Sequence, residues 1–183
     1  MRPVICALFA VIASACITFA AGPVTLILQF DAQHSEPSVN EMKRELQNLM
    51  RNSGVDLNWR SLSEISSTDS FASVVVVTFH GACEIKALTP PPLTEPMALA
   101  YAHVSNGSII PFADVECDRV RSSLGMSQTA PGARGDLLLG RALGRILAHE
   151  LHHIIGQTRA HTQHGISKKS FSARDLIADR TKS

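Results

Sequence analysis

His149-Glu150-Leu151-His152-His153-Ile154-Ile155-Gly156 is an H-E-x-x-H stretch near the end of a strongly apolar run, and its reading decides the rest of the chain. On a helix, His149 and His153 lie four residues apart and project from one face, close enough to bind one zinc ion. Glu150 sits about 100° round the helix, so it is poorly placed as a third ligand but can reach a water held on the metal. Two ligands with a base beside them are the beginnings of a zinc hydrolase site.

A bare H-E-x-x-H also arises by chance, so its surroundings have to carry the reading. Leu139, Leu143, Ile146, Leu147, Leu151, Ile154 and Ile155 form an apolar stripe beside and behind the histidines. The motif therefore belongs to an amphipathic helix with its ligands at the edge of the buried face. Asp136 is the expected cap, and Gly156 the expected left-handed residue at which the helix stops. Of the eight histidines in the chain, five (His149, His152, His153, His161 and His164) fall in this short region, which composition alone would not produce.

Catalytic zinc usually has three protein ligands and one open position. No glutamate follows Glu150, which leaves His161, His164, Asp175 and Asp179 on the C-terminal side. The five residues from Gly156 to His161 can span at most about 16 Å, ample for a return to the metal. His161 is the expected third ligand and His164 the next choice. His152 is expected at the surface or as a support to the ligands, and His34, His80 and His103 as ordinary structural residues.

His149-Glu150-x-x-His153-x-x-Gly156 with a further histidine resembles the active-site consensus of the metzincin clan of zinc metallopeptidases. The resemblance covers the C-terminal third of the chain. Arg159 stands where the clan has its third histidine, His161 lies two residues further on, and no methionine follows Met126 to supply the clan's Met-turn. The chain is thus similar to a divergent, minimal member, and also to small bacterial secreted proteins with H-E-x-x-H and a Thr-x-x-His like Thr158 to His161. The resemblance implies an endopeptidase acting on peptides or proteins, with Glu150 as the base and zinc as cofactor.

Upstream, residues 24–30 alternate as a strand, residues 41–50 carry a helical period ended by Ser53-Gly54, and residues 55–62 form a second strand. Residues 74–79, Val-Val-Val-Val-Thr-Phe, are expected as a central strand buried on both faces. The segment 86–96, with Pro90, Pro91, Pro92 and Pro96, is a loop. Residues 98–104 and 108–115 flank Asn106-Gly107, a strong hairpin signal, and one of them forms the sheet's edge. Residues 122–135 form a polar loop, and residues 172–178 a short helix capped by Ser170 or Ser172. The expected fold is α+β: a small mixed sheet with a crossover helix, the zinc-binding active-site helix, and a short C-terminal subdomain.

Residues 1–20 have a basic start and an apolar run from Val4 to Ala20, and read as a secretory signal peptide. A cut before Ala21, a lipoprotein-type cut before Cys16, and an uncleaved anchor are the alternatives, so membrane attachment would run through this segment. Residues 21–183 then form one domain outside the cytoplasm. There Cys83 and Cys117 are expected as a disulfide, since two thiols in a small domain of an oxidising compartment are usually bridged. Acidic and basic residues are mixed, with a net charge of +1, so nucleic acid is not an expected partner. A secreted zinc-binding module without turnover, and a zinc amidase acting on a cell-wall cross-link, are the competing readings. The first gives Glu150 no task.

Overall fold

The computed structural model describes residues 22–85, 97–125 and 132–179. The signal-peptide segment and the proline-rich loop at 86–96 lie outside them, as do residues 126–131 of the expected polar loop. Five strands make one sheet in the order β2-β1-β3-β5-β4. They are β1 (Val24–Phe30), β2 (Leu57–Ser61), β3 (Val74–His80), β4 (Ala100–Ser105) and β5 (Ser108–Glu116). Neighbours β2, β1, β3 and β5 run parallel, and β4 closes the edge antiparallel to β5. The helices are α1 (Glu36–Asn52), α2 (Cys117–Ser123), α3 (Ala133–Gly156) and the short α4 (Ala173–Ile177). The class is α+β with a mixed sheet, and α1 is the crossover between the parallel strands β1 and β2.

α1 starts well before the apolar period becomes visible at Glu41. Ser35 caps it by accepting from the Ser38 N–H, and Pro37 fits the first turn, where no intrahelical N–H is needed. Its buried face, Val39, Met42, Leu46 and Met50, lies against α3. The two helices approach closely because Gly140 and Gly144, one turn apart on α3, have no side chain there. A Cβ on Gly140 would run into Ser38 O, and one on Gly144 would lie 2.9 Å from Met42 O.

The middle strand β3 is not buried on both faces. Val75, Val77 and Phe79 point into the helix layer and are fully buried, whereas Val74, Val76, Thr78 and His80 are only partly covered. A run of β-branched residues gives no alternation to read, so only the packing reveals the one-sided layer. α2 was not expected: it fills the gap between the expected strand ending at Val115 and the expected loop starting at Ser122, and overlaps that loop only at Ser122 and Ser123.

α3 is buried nearly all round, as expected of a helix at the centre of a domain. Two of its arginines, Arg141 and Arg145, are internal as well. Arg145 is 1% exposed and spends its guanidinium on Glu45 Oε1, Asp175 O and Ala178 O, each at 2.7 Å. Arg141 donates to Ile177 O and Asp179 Oδ1. A buried guanidinium is tolerated only when its donors are used, so these two residues fix the C-terminal segment onto α3. Within that segment Ser172 and Asp175 form a reciprocal capping box for α4.

Asp136 does not cap α3. The helix begins a turn earlier after Gly132, and the Asp136 carboxylate instead accepts from the hydroxyls of Ser35 and Ser38, joining the starts of α1 and α3. Cys83 and Cys117 form a disulfide with their Cα atoms 5.1 Å apart, tying the turn after β3 to the start of α2. Such bridges persist in oxidising, extracellular-type compartments. Among the described residues no helix is long and apolar enough to cross a membrane.

Candidate metal centre

α3 carries His149, Glu150 and His153 and ends at Gly156, but the left-handed residue is Gln157 (φ 46), one position beyond the expected glycine. A side chain with a Cβ is strained there. Gln157 is held in place because its amide Nε2 donates to Ile154 O and, across the domain, to Ile109 O of β5. Arg159 reaches the same hairpin through Gly107 O. The return loop is thus fastened to β5 before it reaches His161.

His149, His153 and His161 each offer a ring nitrogen, and these atoms lie within 4.8 Å of one another. They are close enough to bind one metal ion. The geometry of the first pair is more telling. His149 Nδ1 is 2.7 Å from Ile166 O, and His153 Nδ1 is 2.7 Å from Thr158 O. A carbonyl oxygen can only accept, so both Nδ1 atoms carry the proton and both Nε2 atoms present lone pairs. Those two Nε2 atoms face each other across 3.0 Å. With both rings neutral, two acceptors at that distance repel until a proton or a metal cation lies between them. The carbonyls are the usual outer partners that set tautomer and ring orientation in histidine-bound metal sites.

His153 is buried, His149 partly buried and His161 exposed, so the cluster opens to solvent on the His161 side. The His161 ring stacks near His149, with centroids 5.3 Å apart, and meets His153 edge-on at 4.9 Å. Phe171 sets its ring edge-on to His149 at 5.5 Å and forms an apolar wall. His164 and His152 are not members of the cluster. His152 lies beside it, with its pKa lowered by partial burial and by His153 and His161.

Burial lowers the His149 pKa from 6.5 to about 4, with the Ile166 carbonyl opposing and the neighbouring histidines adding to the fall. Glu150 is 6% exposed, and burial raises its pKa from 4.5 to about 7; the backbone N–H of Ala102 in β4 offsets part of this. The Glu150 carboxyl therefore sits near neutrality between the ligand helix and the edge strand. His149 is therefore an uncharged ligand at neutral pH, and Glu150 gains and loses its proton close to it.

A sequence reading could not have found Ile166, Thr158 or Phe171 by residue type, since two act through backbone carbonyls. It also missed a chain of polar groups on the sheet face away from the helices. Asp31 Oδ2 bonds His80 Nδ1 at 2.8 Å, His80 Nε2 lies 3.5 Å from Asp114 Oδ1, and His103 Nε2 donates to Asp114 Oδ2 at 2.9 Å. His80 and His103, expected as ordinary structural residues, belong to one network. Compared with known proteins, the chain matches no protein-family model, no curated protein and no solved structure.

Proposed function

We propose that the protein is a secreted, zinc-dependent metallopeptidase, with His149, His153 and His161 as ligands and Glu150 as general base. The observation that carries the reading is the pair of Nε2 lone pairs held 3.0 Å apart by two backbone carbonyls. Three neutral imidazoles and one open position are the donor set of catalytic zinc, for which ligand distances of about 2.0 to 2.1 Å suit that gap. Zinc bound there supplies a Lewis acid and a water of lowered pKa.

The chain's own contribution is proton handling and positioning. Glu150 takes a proton from the attacking water and returns one to the leaving amine, a task suited to a carboxyl whose burial holds its pKa near neutrality. Ile166 and Thr158 keep the ligand rings oriented, and the exposed His161 side admits substrate.

A peptide is favoured over other amides by the edge strand. Glu116 N donates to Leu99 O at 2.9 Å, so in the antiparallel alternation Ala100 and Ala102 turn their N–H and C=O groups away from β5. With the Ala102 N–H turned to Glu150, the Ala100 N–H and C=O and the Ala102 C=O pair with no other strand among the described residues, and an extended peptide can add to them. The motif's resemblance to the metzincin clan supports the same reading, with Phe171 rather than a methionine packed at the ligands.

Metal analysis followed by a mixed peptide library tests the proposal. One equivalent of zinc and cleavage that Glu150→Gln lowers by several orders of magnitude, with zinc retained, are expected. Zinc binding without cleavage of any peptide would favour the binding-module reading, and cleavage of cell-wall amides alone the amidase.

A further inference from the structure

We infer that Asp114 is a positioning residue that holds the edge strand β4 against Glu150 from the opposite face of the sheet. The inference rests on the function proposed above for its catalytic consequence, but not for its geometry.

β4 packs on α3, and Ala102, whose N–H points away from β5, is the backbone group of β4 that acts on the Glu150 carboxyl. Its neighbours Tyr101 and His103 project from the other face, because side chains alternate along a strand. One carboxylate reaches both. His103 Nε2 donates to Asp114 Oδ2 at 2.9 Å, and the same carboxylate acts on the cross-strand neighbour Tyr101, whose pKa it raises. Residues on either side of the contact are therefore clamped to β5 by the same group.

The clamp lies where the ladder fails. From Ala102↔Ala113 to Val104↔Ile109, β4 advances two residues while β5 covers four, so β5 carries two extra residues there. Pro111 lies in that stretch and has no N–H to donate. Just past Ala102 the backbone of β4 thus loses regular partners, and Asp114 supplies side-chain bonds in their place. Asp114 is itself braced: its Oδ1 faces His80 Nε2 at 3.5 Å, and His80 is held by Asp31, which also accepts from the Gly81 N–H at 2.9 Å. Force on β4 is passed to β3 and the end of β1 rather than to a mobile side chain.

Amide exchange at Ala102, measured by NMR on the metal-free chain, tests this. In Asp114→Ala the Ala102 amide should exchange about tenfold faster, the factor expected for loss of a charge-assisted hydrogen bond, while Val77 in β3 keeps its protection. Asp114→Asn, which retains one acceptor oxygen, should restore most of the difference. Unchanged exchange at Ala102, or equal acceleration at Val77, would overturn the inference. If Asp114→Ala does not fold, His103→Phe removes one arm at an exposed side chain and should accelerate Ala102 alone. In the zinc-loaded chain Asp114→Ala should lower kcat about tenfold with zinc content and KM unchanged; full kcat would refute the catalytic consequence. The amide measurement needs no turnover, so an inert wild type would sink the peptidase reading and still leave Asp114 decided at Ala102.

Discussion

His149 and His153 face each other through Nε2 atoms 3.0 Å apart, while each Nδ1 donates to a backbone carbonyl. Each ring is locked by a carbonyl from the loop that follows α3, so the repulsion cannot be relieved by flipping a ring without losing a hydrogen bond. A site under that constraint gains when a cation enters, and the third histidine decides how tightly.

Removing His161 leaves two ligands on α3. His161→Ala should weaken zinc binding by more than about a hundredfold, since even the outer partners of ligands are worth about 10- to 100-fold. His164→Ala and His152→Ala should change it little, because neither belongs to the cluster. Competition with a chromophoric chelator measures all three, and an empty site in His164→Ala alone would reassign the ligand.

The pH dependence of the metal-free chain carries a signature of Glu150. Its folded pKa, about 7, is raised above 4.5, so its contribution to stability is present below 4.5 and lost as pH rises through 7. His149 works in the other sense: its folded pKa, about 4, is depressed, and its contribution is lost as pH falls from 6.5. Glu150→Gln removes the first effect and keeps the second. In the presence of chelator, the melting temperature of Glu150→Gln relative to wild type should therefore increase between about pH 5 and pH 8. A difference independent of pH would show that the carboxyl is not raised.

The contact between α1 and α3 depends on having no side chain at Gly140. Gly140→Ala should destabilise the domain by about 1 to 3 kcal/mol, because overpacking against backbone outweighs the helix propensity gained. Gly144→Ala should cost less, since the nearest atom to its new Cβ is 2.9 Å away and the next 3.0 Å. Urea titration of the two variants ranks them, and a more stable Gly140→Ala would contradict the packing.

The Cys83 to Cys117 bridge closes a sequence separation of 34 residues. On the chain-entropy view it stabilises by about 3 to 4 kcal/mol, so the Cys83→Ala, Cys117→Ala double variant should unfold at lower denaturant by that margin. Alkylation of either cysteine without prior reduction would refute the bridge.

The amino-acid sequence by itself determined what depends on neighbouring residues. The apolar period of residues 139–155 with histidines at its edge specifies α3, and Asn106-Gly107 specifies a hairpin, with Asn106 at φ 50 and Gly107 at φ 82 as a type I′ turn demands. The histidine spacing likewise put two ligands on one face. Tertiary structure decided what depends on distant partners. Counting back from Asn106-Gly107 in regular register would pair Tyr101 with Phe112; the two extra residues of β5 pair it with Asp114 instead. Gln157 takes the left-handed position that Gly156 would have taken more cheaply, because Ile109 O lies within reach of its amide. The carbonyls of Thr158 and Ile166 fix the histidine tautomers, and the one-sided helix layer leaves β3 half covered. Periodicity and turn chemistry are local properties of the chain, whereas register, tautomer and face are set by contacts that exist only once separated segments have packed.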